Sequence, residues 1–228
     1  MKSRIKIFLL IIFAISMILS VGNIIVWYIE NNSNQKILKK EESHLINSKD
    51  EKHLDSSIKN DNSDVVGWLI VEGTQISYPV VQYKDNDFYL SHNFEKEKNS
   101  AGWIFMDYQN TLDDQNIVIY GHHRKDGSMF GSIDNILNNT NKKDLSIYFI
   151  TPRETIQYII FSIYKISSND NYNDRIFSNF QHTIKKIAER SEIEFNKNYY
   201  DTNQIITLST CHNNNVDRMV VHGYKKHK

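Results

Sequence analysis

The pattern of hydrophobic and polar positions begins with an apolar N-terminal stretch that differs from the rest of the chain. Residues 7–28 include no charged residue and consist mainly of Ile, Leu, Phe and Val. A helix of about 20 such residues can cross the hydrocarbon core of a bilayer. The apolar region of a cleaved secretory signal is shorter, about 7–15 residues, and ends at a small-x-small site. The pattern therefore predicts one transmembrane helix that acts as an uncleaved signal anchor.

Charges on the two sides of this span predict its orientation. Lys2, Arg4 and Lys6 precede it and Glu30 follows it. Basic residues are retained on the cytoplasmic side of a membrane. We therefore expect a cytoplasmic tail at residues 1–6, a single pass through the cell membrane, and residues 29–228 outside the cell.

Residues 29–63 are polar and charged, and apolar residues are sparse among them. This composition predicts a linker that contains one or two lightly docked surface helices or is a partly disordered stalk. In either case it would act as a spacer from the membrane. The apolar positions are Ile37, Leu38, Leu45, Ile46, Leu54 and Ile58.

From residue 64 to residue 228 the pattern changes to short apolar runs separated by turn residues. Many short strands at such spacing predict a mainly β barrel or sandwich. The predicted strands are Gly67–Val71, Gln75–Val81, Gly102–Met106, Asn116–Tyr120, Ser146–Ile150, Thr155–Ile166, Gln204–Ser209 and Met219–Tyr224.

One helix interrupts these strands. Between residues 174 and 190 the apolar positions recur at intervals of three and four, and Asn173 or Asp174 is a candidate N-cap. A second, shorter helix is predicted over Met129–Leu137.

The charge composition argues against nucleic acid as a partner. The chain has 27 basic and 27 acidic residues and no basic block, so nothing favours nucleic acid as a partner.

Cys211 is the only cysteine and closes the apolar run 205–211. It cannot form a disulfide within the chain, so its special use would be as a nucleophile or a ligand.

A catalytic thiol needs a base or cation near it, and two residues are suitable. His122 follows the apolar run 117–119, and Arg218 lies seven residues after Cys211. A thiolate, an imidazole and a guanidinium at strand ends are typical of an acyl-transfer site. A set of zinc ligands is the alternative, but the chain lacks Cys-x-x-Cys and His-Glu-x-x-His. It also lacks an acidic calcium loop, so we expect no metal and no cofactor.

Other histidines compete for the role of His122. His123 and His212 adjoin the candidate residues, but successive residues of a strand point to opposite faces, which argues against both of them. His92, His182, His222 and His227 are interpreted as surface residues. Four aromatic residues, Trp68, Trp103, Tyr78 and Phe105, are interpreted as core.

Several segments, in this order, carry a resemblance to the sortases, the membrane-anchored cysteine transpeptidases of Gram-positive bacteria, and in particular to class B. The resemblance covers nearly all of residues 64–224. The matching segments are Val66–Leu69, Tyr78–Gln82, Asp85–Leu90, Gly102–Asp107, Ile119–His122, Gly127–Phe130 and Thr207–Cys211 with Arg218.

The resemblance implies an eight-stranded β-barrel in which the helix near 174–190 is the insertion typical of class B. It implies Cys211 as nucleophile, His122 as general acid and base, and Arg218 as the stabilising cation, rather than a Cys, His, Asn triad. It also implies a substrate groove lined by Asn86, Leu90, Tyr120 and Ser209. Leu90 could equally be a core residue and Ser209 a strand hydroxyl with a structural bond.

The function implied is cleavage of a C-terminal sorting signal in a secreted protein, at a Thr-Gly-like bond. The acyl group would then pass to an amine of the cell-wall peptidoglycan. A pilin-polymerising sortase, which uses a lysine of another subunit, is an alternative. A non-catalytic surface binding module, in which Cys211 is inert, is another; thiol alkylation distinguishes it, because an activated cysteine reacts and a buried one resists.

Overall fold

The apolar N-terminal stretch forms the first part of a long helix, α1 (Lys2–Glu41), in the computed structural model of the chain. The structure describes residues 2–47, 52–138, 145–195, 199, 201–212 and 217–227. Within these ranges α1 is the one helix that is long and apolar enough to cross a membrane. The large apolar side chains of its first part, from Ile5 to Ile29, lie exposed on its surface. They have the character of a surface that lipid would cover.

The last part of α1 has a different environment, because it packs against the rest of the molecule. Asn34 and Ile37 are buried. After α1 come a short 3₁₀ turn (Glu42–His44), an antiparallel pair formed by β1 (Leu45–Asn47) and β2 (Lys52–Leu54), and the one-turn helix α2 (Ile58–Asp61). Leu54 and Ile58 are buried as well. Of the two alternatives for residues 29–63, the structure has the docked helix.

A closed barrel of eight strands follows, with the spatial order β10-β8-β7-β3-β4-β5-β6-β9. The β4–β5 and β6–β9 pairs are parallel and the other pairs are antiparallel. The eight-stranded barrel is thereby confirmed. Its strands are β3 (Val65–Val71), β4 (Ser77–Val81), β5 (Phe105–Met106), β6 (Asn116–Gly121), β7 (Ser146–Ile150), β8 (Thr155–Ser167), β9 (Ile205–His212) and β10 (Asp217–Lys225).

The barrel is closed around a hydrophobic core that also receives side chains from the connecting segments. Trp68, Trp103, Tyr78 and Phe105 all belong to this core and are 5% exposed or less, which confirms their interpretation. A smaller apolar cluster lies under the helix between β8 and β9 and includes Ile184 and Val220. Burial of these apolar surfaces is the main favourable contribution to folding.

Two of the elements that are shorter than the hydrophobic pattern predicts have a positive φ angle where the prediction failed. Gly102 has φ +57° and Met129 has φ +52°, a left-handed conformation that does not continue a strand or a helix. As a result β5 begins only at Phe105. The predicted helix over Met129–Leu137 is reduced to α3 (Asn135–Asn138).

The inserted helix is present but begins later than predicted. Helix α4 spans Phe180–Glu189, and the Asn179 side chain caps it by accepting a hydrogen bond from the backbone N–H of His182. The preceding residues are held in other contacts: the Asn116 amide donates to the carbonyl of Asp174 at 2.9 Å. The backbone N–H of Phe177 donates to Gln115 Oε1 at 2.7 Å. The carbonyl of Asp174 is one that a helix from residue 174 would use for an intrahelical bond, and the bond of Phe177 ties the segment to the barrel.

His222 is not a surface residue, and that interpretation was wrong. It is 0% exposed on β10. Its Nδ1 lies 2.9 Å from Thr207 Oγ1 and its Nε2 lies 3.0 Å from the hydroxyl of Tyr164. Burial lowers the pKa of His222 to about 3, and the positive charge of Arg190 contributes in the same direction. The imidazole is thus a neutral, hydrogen-bonded part of the interior.

Candidate active site

Three neighbouring strands of the barrel bring the candidate catalytic residues to one edge. Strand β9 lies between β6 and β10. In the parallel β6–β9 pair Gly121 is in register with Thr210, so His122 and Cys211 are the next residues along each strand. In the antiparallel β9–β10 pair Cys211 is directly opposite Arg218. The fold therefore brings the backbone of Cys211 beside that of His122, which is 89 positions earlier in the sequence, and that of Arg218, which is 7 positions later.

The backbone of Cys211 and His212 belongs to β9, and their side chains lie outside the described part of the structure.

The imidazole of His122 is oriented by a backbone carbonyl rather than by an acidic residue. Its Nε2 lies 2.7 Å from the carbonyl oxygen of Leu90, at the end of the 3₁₀ turn Phe88–Leu90. A carbonyl oxygen can only accept a hydrogen bond, so Nε2 is the nitrogen that carries the proton. In the neutral ring this leaves Nδ1 as the nitrogen with the basic lone pair.

Gly102 provides the space for this contact. A Cβ atom at residue 102 would lie 2.9 Å from the carbonyl oxygen of Leu90 and 3.0 Å from Cδ2 of His122. It would also lie 2.6 Å from the carbonyl oxygen of Tyr89. The left-handed φ angle and the close approach both require glycine here.

Gly121, in the Tyr-Gly-His segment, is required for a different reason than Gly102. A Cβ atom at Gly121 would lie 2.9 Å from Cγ of Phe130, so the ring of Phe130 packs directly against the strand. The backbone N–H of Phe130 donates to the carbonyl of His122 at 3.0 Å. Phe130 thereby holds the backbone of His122 in place.

His123 has a partner of its own. Its Nε2 lies 2.9 Å from Oδ2 of Asp134, and its backbone forms a bridge with Met129. The two adjacent histidines therefore make different contacts, one with the Leu90 carbonyl and the other with a carboxylate.

Arg218 is half-buried at the start of β10. Its guanidinium Nη1 lies 3.5 Å from the carbonyl oxygen of Asp217. Arginine stays protonated throughout the accessible pH range and offers five N–H donors, so this edge of the barrel contains a fixed positive charge.

Two residues predicted for a substrate groove, Asn86 and Tyr120, meet at the carboxylate of Asp107. The amide of Asn86 donates to Asp107 Oδ2 at 2.8 Å. The hydroxyl of Tyr120 donates to the same oxygen at 3.2 Å and accepts a hydrogen bond from the amide of Asn173 at 3.0 Å. Burial raises the pKa of Tyr120, which keeps its hydroxyl protonated.

The other two predicted groove residues differ in exposure. Leu90 is 38% exposed, whereas Ser209 is 1% exposed. The Ser209 hydroxyl donates to the hydroxyl of Tyr172 at 2.9 Å. Tyr172 and Asn173 thus connect the segment between β8 and α4 to the floor of the same region.

Sequence reasoning points to the loop from Ser167 to Tyr172 as a part of the groove but does not single out Asp107, Tyr172 or Asn173. Asp107 ends the matching segment Gly102–Asp107, and its place after a short strand, next to two groove candidates, is a signal that could have found it. The other two residues lie in a polar loop, and no local pattern distinguishes them from their neighbours.

The chain is similar to known proteins over most of its length. The family model for the sortase domain matches residues 69–226. Sortase B of Listeria monocytogenes is 34% identical over 220 residues, which cover 85% of this chain and 85% of that protein. Sortase B of Staphylococcus aureus is 33% identical and covers 81% of this chain and 80% of that protein.

Solved structures give the same result for the fold. Bacillus anthracis sortase B superimposes with a TM-score of 0.73 at 32% identity, over 86% of this chain and 97% of that chain. Clostridium perfringens sortase B superimposes with a TM-score of 0.69 at 36% identity, over 75% of this chain and 98% of that chain.

The barrel and the matched residues define a cysteine transpeptidase, and the chain belongs to the sortase family. Within that family its relatives are class B enzymes. Sortases act on proteins that carry a sorting signal and on cell-wall peptidoglycan.

Proposed function

We propose that the protein is a membrane-anchored class B transpeptidase that cleaves a C-terminal sorting signal of secreted proteins at a Thr-Gly-like bond. It joins the new carboxyl end to an amine of a peptidoglycan peptide. The observation that carries this proposal is the register of β6, β9 and β10, which aligns the positions of His122, Cys211 and Arg218 at one edge of the barrel.

In the first half of the reaction the Cys211 thiolate attacks the carbonyl carbon of the scissile bond. The C–N bond breaks, and the leaving amine takes a proton from the protonated His122. The Nε2 proton of His122 is held by the Leu90 carbonyl, so Nδ1 is the nitrogen that gives up and later regains a proton. The product of this half is a thioester on Cys211.

In the second half an incoming amine attacks the thioester carbonyl. His122 takes the proton that this amine loses, the C–S bond breaks, and the Cys211 thiolate is regenerated. Arg218 stabilises the negative oxygen of the tetrahedral intermediates in both halves through its fixed charge and its N–H donors.

We assign substrate binding to Asn86, Leu90, Tyr120 and Ser209. The support is their placement: Tyr120 and Ser209 are register partners on β6 and β9, one residue before Gly121 and two before Cys211. Asn86 is connected to Tyr120 through Asp107. Leu90 contributes an exposed side chain next to the carbonyl that orients His122.

The acceptor we propose is a primary amine at the end of a peptidoglycan cross-bridge or stem peptide. A related sortase B, 34% identical to this chain, has been solved in complex with triglycine. Triglycine is therefore a suitable amine for a first experiment, with diaminopimelate as the second.

We also propose that the first part of α1 crosses the cell membrane once, with residues 1–6 in the cytoplasm and the barrel outside. Its exposed apolar surface and its basic N-terminal residues support this topology. Protease treatment of intact cells should degrade the barrel and spare a tag placed at the N-terminus.

Mass spectrometry of the protein in detergent micelles tests the reaction directly. The protein is mixed with a panel of sorting-signal peptides, with and without triglycine or diaminopimelate. We expect an acyl adduct that is absent from Cys211→Ala, and its conversion to a ligated product when an amine is present.

His122→Gln and His123→Gln form a matched pair for this assay. The first variant should lose most of the turnover, a fall of about 100-fold or more for the loss of a general acid and base. The second should retain it. If no peptide gives an adduct and Cys211 also resists alkylation at neutral pH, the catalytic proposal fails.

A further inference from the structure

A second cluster of ionisable side chains lies far from the strand ends, where α1 joins the barrel. Glu41 at the end of α1, His44 in the next turn and Asp61 at the end of α2 each offer one ligand atom, and these three atoms lie within 4.8 Å of one another. The sortase reaction proposed above uses none of them.

Glu41 is the unusual member of this cluster. Its side chain is 1% exposed, and neither carboxylate oxygen has a hydrogen-bond partner among the described residues. Lys40 Nζ lies 3.3 Å from Oε1 without hydrogen-bond geometry, and His44 Nε2 lies 3.8 Å from Oε2. A buried carboxylate without hydrogen bonds is costly unless a cation compensates it.

The distances between the ligand atoms suit a small divalent ion. His44 Nε2 is 3.2 Å from Asp61 Oδ2 and 3.8 Å from Glu41 Oε2. Zinc holds nitrogen and oxygen ligands at about 2.0–2.2 Å in a tetrahedron, whose edges are then roughly 3.3–3.6 Å. Both distances are close to such an edge, and the ligand atoms of Glu41 and Asp61 lie within 4.8 Å of each other. Three protein ligands leave the fourth position for water.

The surroundings of His44 prepare its Nε2 to act as a ligand. Its other nitrogen, Nδ1, lies 3.1 Å from the hydroxyl of Ser57. Without an ion Nε2 faces the acceptor Asp61 Oδ2 at 3.2 Å and carries the proton. Zinc would displace this proton, and Nδ1–H would then donate to Ser57, which is the arrangement usual for histidine ligands. A nitrogen ligand among two carboxylates favours zinc over calcium or magnesium, which prefer oxygen.

Lys40 is a competing cation but does not occupy the same position. Its ammonium contacts Asp61 Oδ1 and approaches Glu41 Oε1, whereas the candidate ligand atoms are Asp61 Oδ2 and Glu41 Oε2. Its side chain is 56% exposed and can move into solvent. We propose that Glu41, His44 and Asp61 bind a zinc ion that fixes the end of α1 to α2.

Zinc binding to the full-length protein in detergent micelles tests this proposal. After removal of metals with EDTA, uptake is measured by equilibrium dialysis against a chromogenic chelator. We expect one zinc ion per chain and a rise in the unfolding temperature with zinc concentration, because an ion that binds only the folded state stabilises it. Calcium should produce neither effect.

Four variants identify the site. His44→Gln and Asp61→Asn should each weaken zinc binding at least 10-fold and abolish the thermal shift. His53→Gln, on the neighbouring strand β2, is the matched control and should bind as the parent does. Ser57→Ala should weaken binding about 10- to 100-fold, as expected for the loss of an outer-shell partner.

Lys40→Met distinguishes the zinc site from an ion-pair network. Removal of a competing positive charge should strengthen zinc binding if the proposal is correct. If Lys40→Met does not strengthen binding, or if His44→Gln binds zinc as tightly as His53→Gln, the proposal is overturned. Absence of zinc uptake by the parent protein would overturn it as well. None of these readouts depends on transpeptidation, so failure here would leave the proposed function unaffected.

Discussion

The contact between His122 and the Leu90 carbonyl depends on one glycine. Because Gly102 combines a φ of +57° with a near approach to His122 and to two backbone carbonyls, a methyl group there must displace either the ring or the 3₁₀ turn. Small displacements of a catalytic group can lower a rate about 100-fold.

We therefore expect Gly102→Ala to lower kcat/KM for transpeptidation by about 10- to 100-fold. Unfolding free energy should fall as well, by about 1 kcal/mol or more, since alanine is strained at positive φ. Steady-state kinetics and thermal unfolding measure the two effects.

Gly127→Ala is the matched control. Gly127 also has a positive φ, +82°, but its nearest neighbour would be Gln75 Oε1 at 3.5 Å. It should show the loss of stability without the loss of activity. Equal activity of the two variants would show that the space at Gly102 has no effect on His122.

His222 makes the stability of the barrel depend on pH. Its pKa in the folded state is about 3, against about 6.5 in the unfolded chain. Below pH 6.5 the unfolded state binds a proton that the folded state does not, so the stability contributed by neutral His222 is complete above pH 6.5 and is lost as the pH falls.

We expect the unfolding free energy to decrease by up to about 1.4 kcal/mol per pH unit between pH 6 and pH 4 from this group. In His222→Gln this part of the slope should disappear, at the cost of a lower stability at pH 7. His182→Gln, at an exposed position, should keep the parent slope. Denaturant titrations at several pH values test this; an unchanged slope in His222→Gln would contradict it.

For single residues, the sequence predicts which residues are candidates for the active site better than it predicts how buried a residue is and what it contacts. The order of matching segments selects Cys211, His122 and Arg218 as candidates, and their roles stay predictions. The burial of His222 could not be predicted, because the bonds that stabilise a neutral imidazole come from Thr207 and Tyr164, which are 15 and 58 residues away. A local pattern of polarity contains no information about such partners.

Among the elements, the segment between β8 and α4 is the one whose conformation the hydrophobic pattern predicts least well. The recurrence of apolar residues predicts a helix from residue 174, but Asn116 and Gln115 hold this segment through its backbone. By contrast, the pattern predicts the ends of β7 without error and those of β6 to within one residue. The alternation of apolar and polar residues in a strand can be recognised from the strand's own sequence. The conformation of this loop depends instead on hydrogen bonds from side chains elsewhere in the barrel.

Asn173 is the residue of this segment that contacts the predicted groove, through Tyr120. We expect Asn173→Ala to raise KM for a sorting peptide about 2- to 10-fold, the range that corresponds to one hydrogen bond, with a smaller change in kcat. Hydrogen exchange in residues 168–179 should become faster.

Asn171→Ala is the control for this prediction, because the Asn171 amide donates to Asp174 within the same segment and makes no described contact with the groove residues. It should leave KM unchanged. If both variants raise KM equally, the effect comes from the loop in general and not from the bond to Tyr120.

At the scale of the whole molecule, α1 joins the apolar N-terminal stretch to the barrel without an intervening break. Asn34 and Asn99 exchange two amide hydrogen bonds at 3.3 and 3.1 Å while both are buried. Glu30 contacts Ser100, and Ile37 enters the core. The docked part of the helix is thus held by polar and apolar contacts together.

Asn34→Ala should weaken this docking by about 1–3 kcal/mol, because the buried side-chain NH2 group of Asn99 loses the acceptor described for it, although Asn99 Oδ1 still accepts from the N–H of Ala101. Limited proteolysis and hydrogen exchange of residues 30–41 in detergent micelles measure the effect. Asn32→Ala, at an exposed position on the same helix, should show none. Comparable protection in both variants would mean that the Asn34–Asn99 pair does not hold the helix.

With α1 as the proposed membrane anchor, the uninterrupted helix would also determine how the enzyme meets its substrates. The apolar span ends at residue 28 or 29 and the first contact with the barrel, at Glu30, follows within one or two residues, which is about 3 Å of helix. With α1 as the anchor, the barrel is held at the bilayer surface and diffuses in two dimensions. Its encounter rate then depends on how densely enzyme and secreted proteins share the same area of membrane, and a substrate still attached to that membrane has a much higher effective concentration than one released into the wall.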